Sequence, residues 1–329
     1  MKALVYTGPE QMEMRDVPMP EATNDLALIA VDHVGICGSD MHGFLGHDER
    51  RPAPLILGHE AAGMVIEGPM AGTRVTINPL VTNPNSPDSL RGRENLCPER
   101  QIISMPPREG AFASHLTMPE RNLVPVPDDV PLAKAALAEP LACGWHAVRL
   151  GRAVLDIPEA QAKALVIGGG AIGLGSALCL AAQGVDDITL VEPNGTRAAY
   201  LRETCGIHVV APDDLDAEQL FDLVVDGVGY AGTRASATAH TRPGGVIVHI
   251  GLGSGESGLD IRRMTLQEIT FIGTYAYTAQ DFRDTAEAIF AGKLGALDWT
   301  ETRPLDEGAQ AFADIRAGVV AAPKVLLRP

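Results

Sequence analysis

The stretch KALVIGGGAIG, residues 163–173, constrains the fold more than any other part of the chain. An apolar run leads straight into Gly168-Gly169-Gly170-Ala171-Ile172-Gly173, which satisfies G-x-G-x-x-G. An apolar stretch with helical spacing, AIGLGSALCLAAQG, follows at once. Strand, glycine turn and helix in that order make a cradle for the pyrophosphate of a dinucleotide. Gly168 permits the tight turn, Gly170 lets phosphate approach the backbone, and Gly173 lets helix and strand pack closely. The free N–H groups and the positive dipole end of the helix then face the phosphates. Glu192 ends the next strand-like run, 19 residues beyond Gly173. A carboxylate there accepts both hydroxyls of an adenosine ribose and repels a 2′-phosphate, which favours NAD over NADP. Arg197 lies near enough to complicate that charge balance.

The rest of the second half agrees with this start. DITLVE, HVVA, FDLVVDGVG, GGVIVHIG and EITFIGT read as strands, and NGTRAAYLRETC, GTRASATAHTR and QDFRDTAEAIFAG as helices. Continuous apolar strands alternating with helices imply a parallel sheet covered on both faces, an α/β fold. Residues 1 to about 135 differ: short alternating runs bounded by Pro and Gly predict a compact β domain. Residues 83–109 have almost no periodicity and predict a long surface loop. GAQAFADIRAG and PKVLLRP close the chain as a helix and a strand. A length of 329 residues suits about two domains.

A net charge of −16 argues against a nucleic-acid partner and against docking on anionic membrane. No apolar run approaches the length of a membrane span, and the first residues carry no signal-peptide pattern. Cys37, Cys97, Cys143, Cys179 and Cys205 are an odd, scattered set, which suits a reducing cytoplasm.

The first half also holds a split set of metal-binding residue types. Cys37 lies in GICGSDMH, His59 and Glu60 in GHE, and Glu139 in AEPL. Thiolate, imidazole and carboxylate are what zinc takes in catalytic sites that keep one position open. No two of these segments form a tight pair, so spacing alone does not make a site. Taken singly, Cys37 suits a buried structural cysteine, His59 a core or surface histidine, and Glu139 a helix-end charge.

GICGSDMH, GHEAAG, GRENLC, EGAFASH, AEPLACGWHAV, VIGGGAIG and the terminal KVLLRP occur in an order that resembles the zinc-dependent medium-chain alcohol dehydrogenases. The likeness covers essentially the whole chain and is greatest to the polyol branch, with its sorbitol, idonate, threonine and butanediol dehydrogenases. It implies a GroES-like, β-rich catalytic domain over 1–140, a Rossmann domain with a doubly wound parallel sheet over 141–275, and a return to the first domain over 276–329. It implies one catalytic zinc held by Cys37 and His59, with Glu60 a fixed or swinging ligand. Glu139 would bind zinc or hold its water. It further implies that Ser39 shuttles the substrate proton and that His42 is the outer end of that relay. Asp40 would orient His59. Asp226, Gly227 and Gly229 end one strand, and Ile250, Gly251 and Leu252 another. Ligands of open α/β sheets bind at such ends, and the resemblance implies that these residues line the nicotinamide site, with Tyr275 at the cleft.

Two departures stand out. The family's structural-zinc loop, C-x2-C-x2-C-x7-C, falls here on Asn83, Ser86, Ser89 and Cys97. One thiolate cannot hold a closed tetrahedral site, so no structural zinc is expected. The segment from Gly63 to Val75 is also short, with Thr73 where the family's turn has Asp. Phe44, His47, Arg50 and Arg51 follow the zinc loop. An arginine there could meet a phosphorylated or carboxylated substrate, or the pair could be a solvated basic patch. A metal-free quinone-reductase-like enzyme would lack Cys37 and His59, and a non-catalytic NAD(P)-binding relative would have little use for them. The expected partner is a small alcohol or ketone. The family likeness implies a homodimer or homotetramer through the sheet edge over 244–274.

Overall fold

The computed structural model describes residues 1–329. Strands β1 (Lys2–Gly8), β2 (Gln11–Asp16) and β3 (Ala27–Gly35) lead into the short helix α1 (Gly38–Phe44). Then come β4 (Leu55–Ile56), β5 (Glu60–Glu67), β6 (Arg74–Ile77) and β7 (Leu80–Val81). A lobe containing α2 (Pro87–Leu90) precedes β8 (Gln101–Ile102), β9 (His115–Met118) and β10 (Leu123–Pro125). The short α3 (Leu132–Ala135) and the long α4 (Ala138–Arg152) connect to the second unit.

That unit alternates as its apolar runs predict. It comprises β11 (Lys163–Ile167), α5 (Ala171–Ala182), β12 (Asp187–Val191), α6 (Gly195–Cys205), β13 (Val209–Val210) and β14 (Phe221–Asp226). It continues with α7 (Ala231–His240), β15 (Thr241–His249), α8 (Ile261–Leu266), β16 (Thr270–Gly273) and α9 (Ala279–Phe290). The six strands pair in parallel in the order β13-β12-β11-β14-β15-β16. Strand order reverses beside β11, and its C-terminal end therefore opens onto a ligand crevice.

The chain then returns. β17 (Thr300–Pro304) and β18 (Lys324–Arg328), with α10 (Gly308–Arg316) between them, extend the sheet of the first unit, in the order β10-β6-β5-β3-β18-β17. Leu326 pairs with Gly35 and Leu327 with Val34, so the C-terminal strand lies against the segment that leads to Cys37. Phe312 of α10 packs on Phe44 with ring centroids 5.0 Å apart, inside the first core.

Both expected domain boundaries shift. The junction at 140/141 would cut α4, whose Leu141, Ala142, Ala147 and Val148 belong to the second core. The crossing placed at 276 comes one helix later, because Phe282, Ala286 and Ile289 of α9, with Leu294, Leu297 and Trp299, also pack in that core. The expected loop over 83–109 carries α2, a 3-10 turn at Glu94–Leu96 and β8. Asn83, Ser86, Ser89 and Cys97 meet there through hydrogen bonds. Ser86 Oγ donates to Ser89 Oγ at 2.9 Å, Ser89 Oγ donates to the Asn83 carbonyl at 2.6 Å, and the Ser86 hydroxyl lowers the pKa of the Cys97 thiol.

Candidate active site

β3 ends at Gly35, and Cys37 caps α1, which leaves the thiol at the mouth of a short helix. β5 begins at Glu60, so His59 and Glu60 emerge where that strand starts. Asp40 joins the two segments. It is fully buried and accepts from Cys37 N at 3.0 Å and from Gly58 N at 3.1 Å. Its Oδ1 also lies 3.4 Å from His59 Nδ1. Burial would raise the Asp40 pKa, but His59, Arg51 and the Cys37 N–H outweigh it and hold the carboxyl below its ordinary range. Ser104 Oγ stands 3.3 Å from the same imidazole nitrogen.

One sulfur, one imidazole nitrogen and one carboxylate oxygen, from Cys37, His59 and Glu60, lie within 4.8 Å of one another. That donor set and spacing fit a zinc ion with an open fourth position. Glu60 has a second partner: Lys324 Nζ donates to both of its oxygens at 2.7 Å, and to the Ile36 carbonyl at 3.0 Å. A Cβ at position 35 would overlap Glu60 Oε2, so only glycine leaves room for this carboxylate.

Glu139, expected either to bind zinc or to hold its water, is not one of these three. It projects from the first turn of α4, buried, and its Oε1 accepts from Tyr277 Oη at 2.7 Å. Burial raises its pKa to about 7, against the lowering pull of His59 and the Tyr277 hydrogen bond. Ser39 is half-buried beside Cys37, and Arg51 Nη2 lies 3.4 Å from its Oγ; His42 is exposed.

The dinucleotide motif has the geometry its glycines require. Gly168 has φ +98°, and a Cβ on Gly173 would overlap the Gly168 carbonyl. Gly170 caps α5, and a Cβ there would meet nothing within 4 Å, which is the open cradle a pyrophosphate fills. Ile172 sits in the first turn of α5. Glu192 Oε2 accepts from Gly169 N at 2.8 Å and Oε1 from Asn194 N at 2.7 Å, while Arg197 Nη1 stands 3.9 Å away.

Asp226, expected among the residues that line the nicotinamide site, closes β14. It is fully buried, accepts from Val228 N at 3.0 Å, Gly229 N at 2.9 Å and Thr233 Oγ1 at 3.0 Å, and lies 3.1 Å from His249 Nδ1. Those partners make it the anchor of the turn after β14. Gly227 packs tightly against Gly173, and Gly251 against Val228 and Gly229 at separations that exclude a side chain. Ile250 is partly buried beside the second core and Leu252 is 80% exposed. Tyr275 is held by the lobe: Asn95 Nδ2 donates to its carbonyl at 2.8 Å and the Arg100 guanidinium lies 4.8 Å over its ring.

Sequence reasoning missed Tyr277, Lys324 and Ser104, and it left Arg51 between two roles. Lys324 had a signal, a lone cation opening an apolar strand; Tyr277 and Ser104 had none.

Two family profiles match the chain: "Alcohol dehydrogenase GroES-like domain" over residues 23–128 and "Zinc-binding dehydrogenase" over 171–291. Among curated relatives, the L-galactonate-5-dehydrogenase of Escherichia coli K12 is 29% identical over 90% of this chain and 89% of its own. The D-xylulose reductase of Saccharomyces cerevisiae is 27% identical over 95% and 93%. A Sinorhizobium meliloti protein described as a zinc-binding dehydrogenase, solved bound to NADP, superposes with TM-score 0.89 at 27% identity, over 100% of this chain and 99% of that one. Profiles, relatives and site geometry agree: the chain belongs to the zinc-dependent medium-chain alcohol dehydrogenases, in their polyol-dehydrogenase branch.

Proposed function

We propose that this protein oxidises a secondary alcohol of a polyol or sugar acid with NAD, and reduces the matching ketone in reverse. The observation that carries this is the meeting of Cys37, His59 and Glu60 within 4.8 Å, in a chain that also builds a dinucleotide cradle at Gly168–Gly173. When bound there, zinc would supply Lewis acidity toward the alcohol oxygen, and the nicotinamide would accept the hydride.

The chain's own groups handle the proton. Ser39 lies beside Cys37 and takes the hydroxyl proton of the substrate, and the exposed His42 passes it to solvent. Glu139, with a pKa of about 7, is poised to hold or release a proton near neutral pH at the wall of the site. The wall is polar, and aromatic residues make up only 4% of the chain, which suits a hydroxylated substrate over a bulky aromatic one. NAD preference rests on Glu192, whose charge at the end of β12 repels a 2′-phosphate.

No helix is long and apolar enough to cross a membrane, and all five cysteines are unpaired, which supports a cytoplasmic place. The acidic net charge supports no nucleic-acid or membrane partner. β16 is an open sheet edge, and Ile261 and Leu266 beside it are 62% and 72% exposed, which supports a homodimer or homotetramer through that edge.

Zinc per subunit, measured on protein purified without chelator, tests the reading. One zinc, lost in Cys37→Ala, with NAD-linked turnover of a polyol or sugar acid, is the expected result. Two zincs would overturn the single-metal reading, and none would move the protein to the metal-free reductases.

A further inference from the structure

Arg50 and Arg51 are adjacent in sequence but differ in kind. The side chain of Arg50 is 63% exposed and that of Arg51 is 1% exposed. A guanidinium sealed to that degree cannot meet a substrate arriving by the cleft, so Arg51 serves neither as an anion anchor nor as part of a solvated patch. Its donors are spent inside the protein. Nη1 pairs with Asp48, Nε donates to the Ser104 carbonyl at 3.1 Å, and Nη2 reaches Ser39 Oγ at 3.4 Å. Room for it is built into α1. A Cβ on Gly43 would stand 2.8 Å from Arg51 Cδ, so the helix has no side chain where Arg51 passes.

Ser104 is the second unusual residue. It is fully buried with φ +70°, a conformation that strains a residue with a Cβ and persists only when its surroundings enforce it. Two contacts do so: the Arg51 guanidinium on its carbonyl, and its own Oγ at 3.3 Å from His59 Nδ1. Asp40 approaches the same nitrogen at 3.4 Å. Nδ1 is therefore bracketed from two sides, and the ring can offer only Nε2 to a metal.

We propose that Arg51 is a positioning residue which, through the strained Ser104, couples the orientation of the His59 imidazole to that of the Ser39 hydroxyl. The inference rests on the reading of His59 as a zinc ligand and Ser39 as the proton relay. A hydroxyl has one proton and two acceptor positions. The guanidinium occupies one acceptor position of Ser39 Oγ, which turns the hydroxyl proton away from Arg51 and leaves one lone pair for the substrate proton. The same guanidinium fixes the Ser104 carbonyl, and with it the Oγ that steadies His59. One buried cation thus sets the metal ligand and the relay in register.

The test uses the full-length protein loaded with cobalt in place of zinc, with Arg51→Met, Arg51→Lys and Ser104→Gly. Glycine adopts positive φ without strain, so S104G keeps the fold while removing the contact to His59. Three quantities are read: the rate of metal loss to a chelator, the cobalt d–d spectrum, and kcat, KM and the solvent deuterium isotope effect on kcat. S104G is expected to alter the d–d spectrum and to speed metal loss about tenfold, the usual scale for losing an outer partner of a metal-bound histidine. R51M is expected to do both, and also to lower kcat about 10- to 100-fold with a changed isotope effect and little change in KM. R51K keeps the charge but cannot span Ser39 and Ser104 together, and should fall between R51M and wild type. If R51M or R51K folds yet matches wild type in metal loss and isotope effect, the coupling is overturned. It is also overturned if S104G leaves spectrum and metal loss unchanged. If wild type binds cobalt but turns over no polyol, the dehydrogenase reading falls, while metal loss from the variants still decides the coupling.

Discussion

Glu139 is a carboxyl that the fold keeps partly protonated near neutral pH. Burial raises its pKa from 4.5 to about 7. Between those values the folded state holds a proton that the unfolded chain has released, so stability falls as pH rises through this window and levels off above it. Glu139→Gln removes the titration. Without metal, E139Q is expected to lose less stability than wild type between pH 5 and pH 8, by urea unfolding at each pH; equal losses would show that Glu139 does not titrate there. Glu60 is treated differently. Lys324 neutralises it with two 2.7 Å contacts, and Gly35 provides its space, so it is buried as a paired charge. The legibility of these residues in the sequence follows their chemistry. Cys37, His59 and Glu60 are legible through the family motifs GICGSDMH and GHE that carry them, not through their spacing. Tyr277 and Ser104 act through single hydroxyls placed by tertiary folding, and no local pattern marks such a role. Asp226 is legible as a strand end, but the sequence does not show that two backbone amides share its Oδ1 while the Thr233 hydroxyl takes its Oδ2.

Among the elements, α9 and α4 are joined by one buried carboxylate. Asp281 accepts from Thr278 N at 3.2 Å and Thr278 Oγ1 at 2.6 Å, which caps α9. It also takes Arg149 Nε at 2.6 Å and stands 2.7 Å from His146 Nδ1, both on α4. Burial would raise its pKa, and His146, Arg149 and Thr278 together hold it far below the ordinary carboxylate range. Asp281→Ala leaves His146 and the cap without their acceptor. The expected loss of stability is about 3–5 kcal/mol, the scale for breaking a buried pair, by calorimetry or urea titration. A loss near zero would show that water replaces the carboxylate at no cost. The same helices show what sequence could and could not reveal. β11, β14 and β15 were legible because both faces of a central parallel strand are buried, which demands an unbroken apolar run. α4 was not, because Pro140, Gly144 and Gly151 weaken its propensity and burial on several sides removes its periodicity. Its glycine has a packing reason: a Cβ on Gly144 would stand 3.0 Å from Ser176 N, so α4 and α5 cross at backbone contact.

For the molecule as a whole, the two units are stapled twice. The chain returns through β17 and β18, and the 83–100 lobe reaches across to residues 275–279. At that crossing Asn95 Nδ2 donates to the Tyr275 carbonyl at 2.8 Å, Arg100 lies over the Tyr275 ring, and the Glu94 carboxylate accepts from Ala279 N. Tyr277, which holds Glu139, sits in the middle of this docked segment, next to Ala276 with φ +47°. The lobe that fills the family's structural-metal position is therefore held by hydrogen bonds of its own and docked by the neighbouring unit. Removing the docking contacts with Asn95→Ala and Arg100→Ala together should uncouple the units. Wild type is expected to melt in one calorimetric transition, and the double variant in two. Added dinucleotide, NAD or NADP, then identifies them. A ligand at about 100 times its Kd stabilises the unit that binds it by about 2.7 kcal/mol, so only the transition of the dinucleotide-binding unit should move in the double variant, whereas in wild type the single transition moves whole. If the double variant still melts in one step that the dinucleotide shifts entire, the β17–β18 return alone carries the coupling, and the lobe serves only to position Tyr277 at the site.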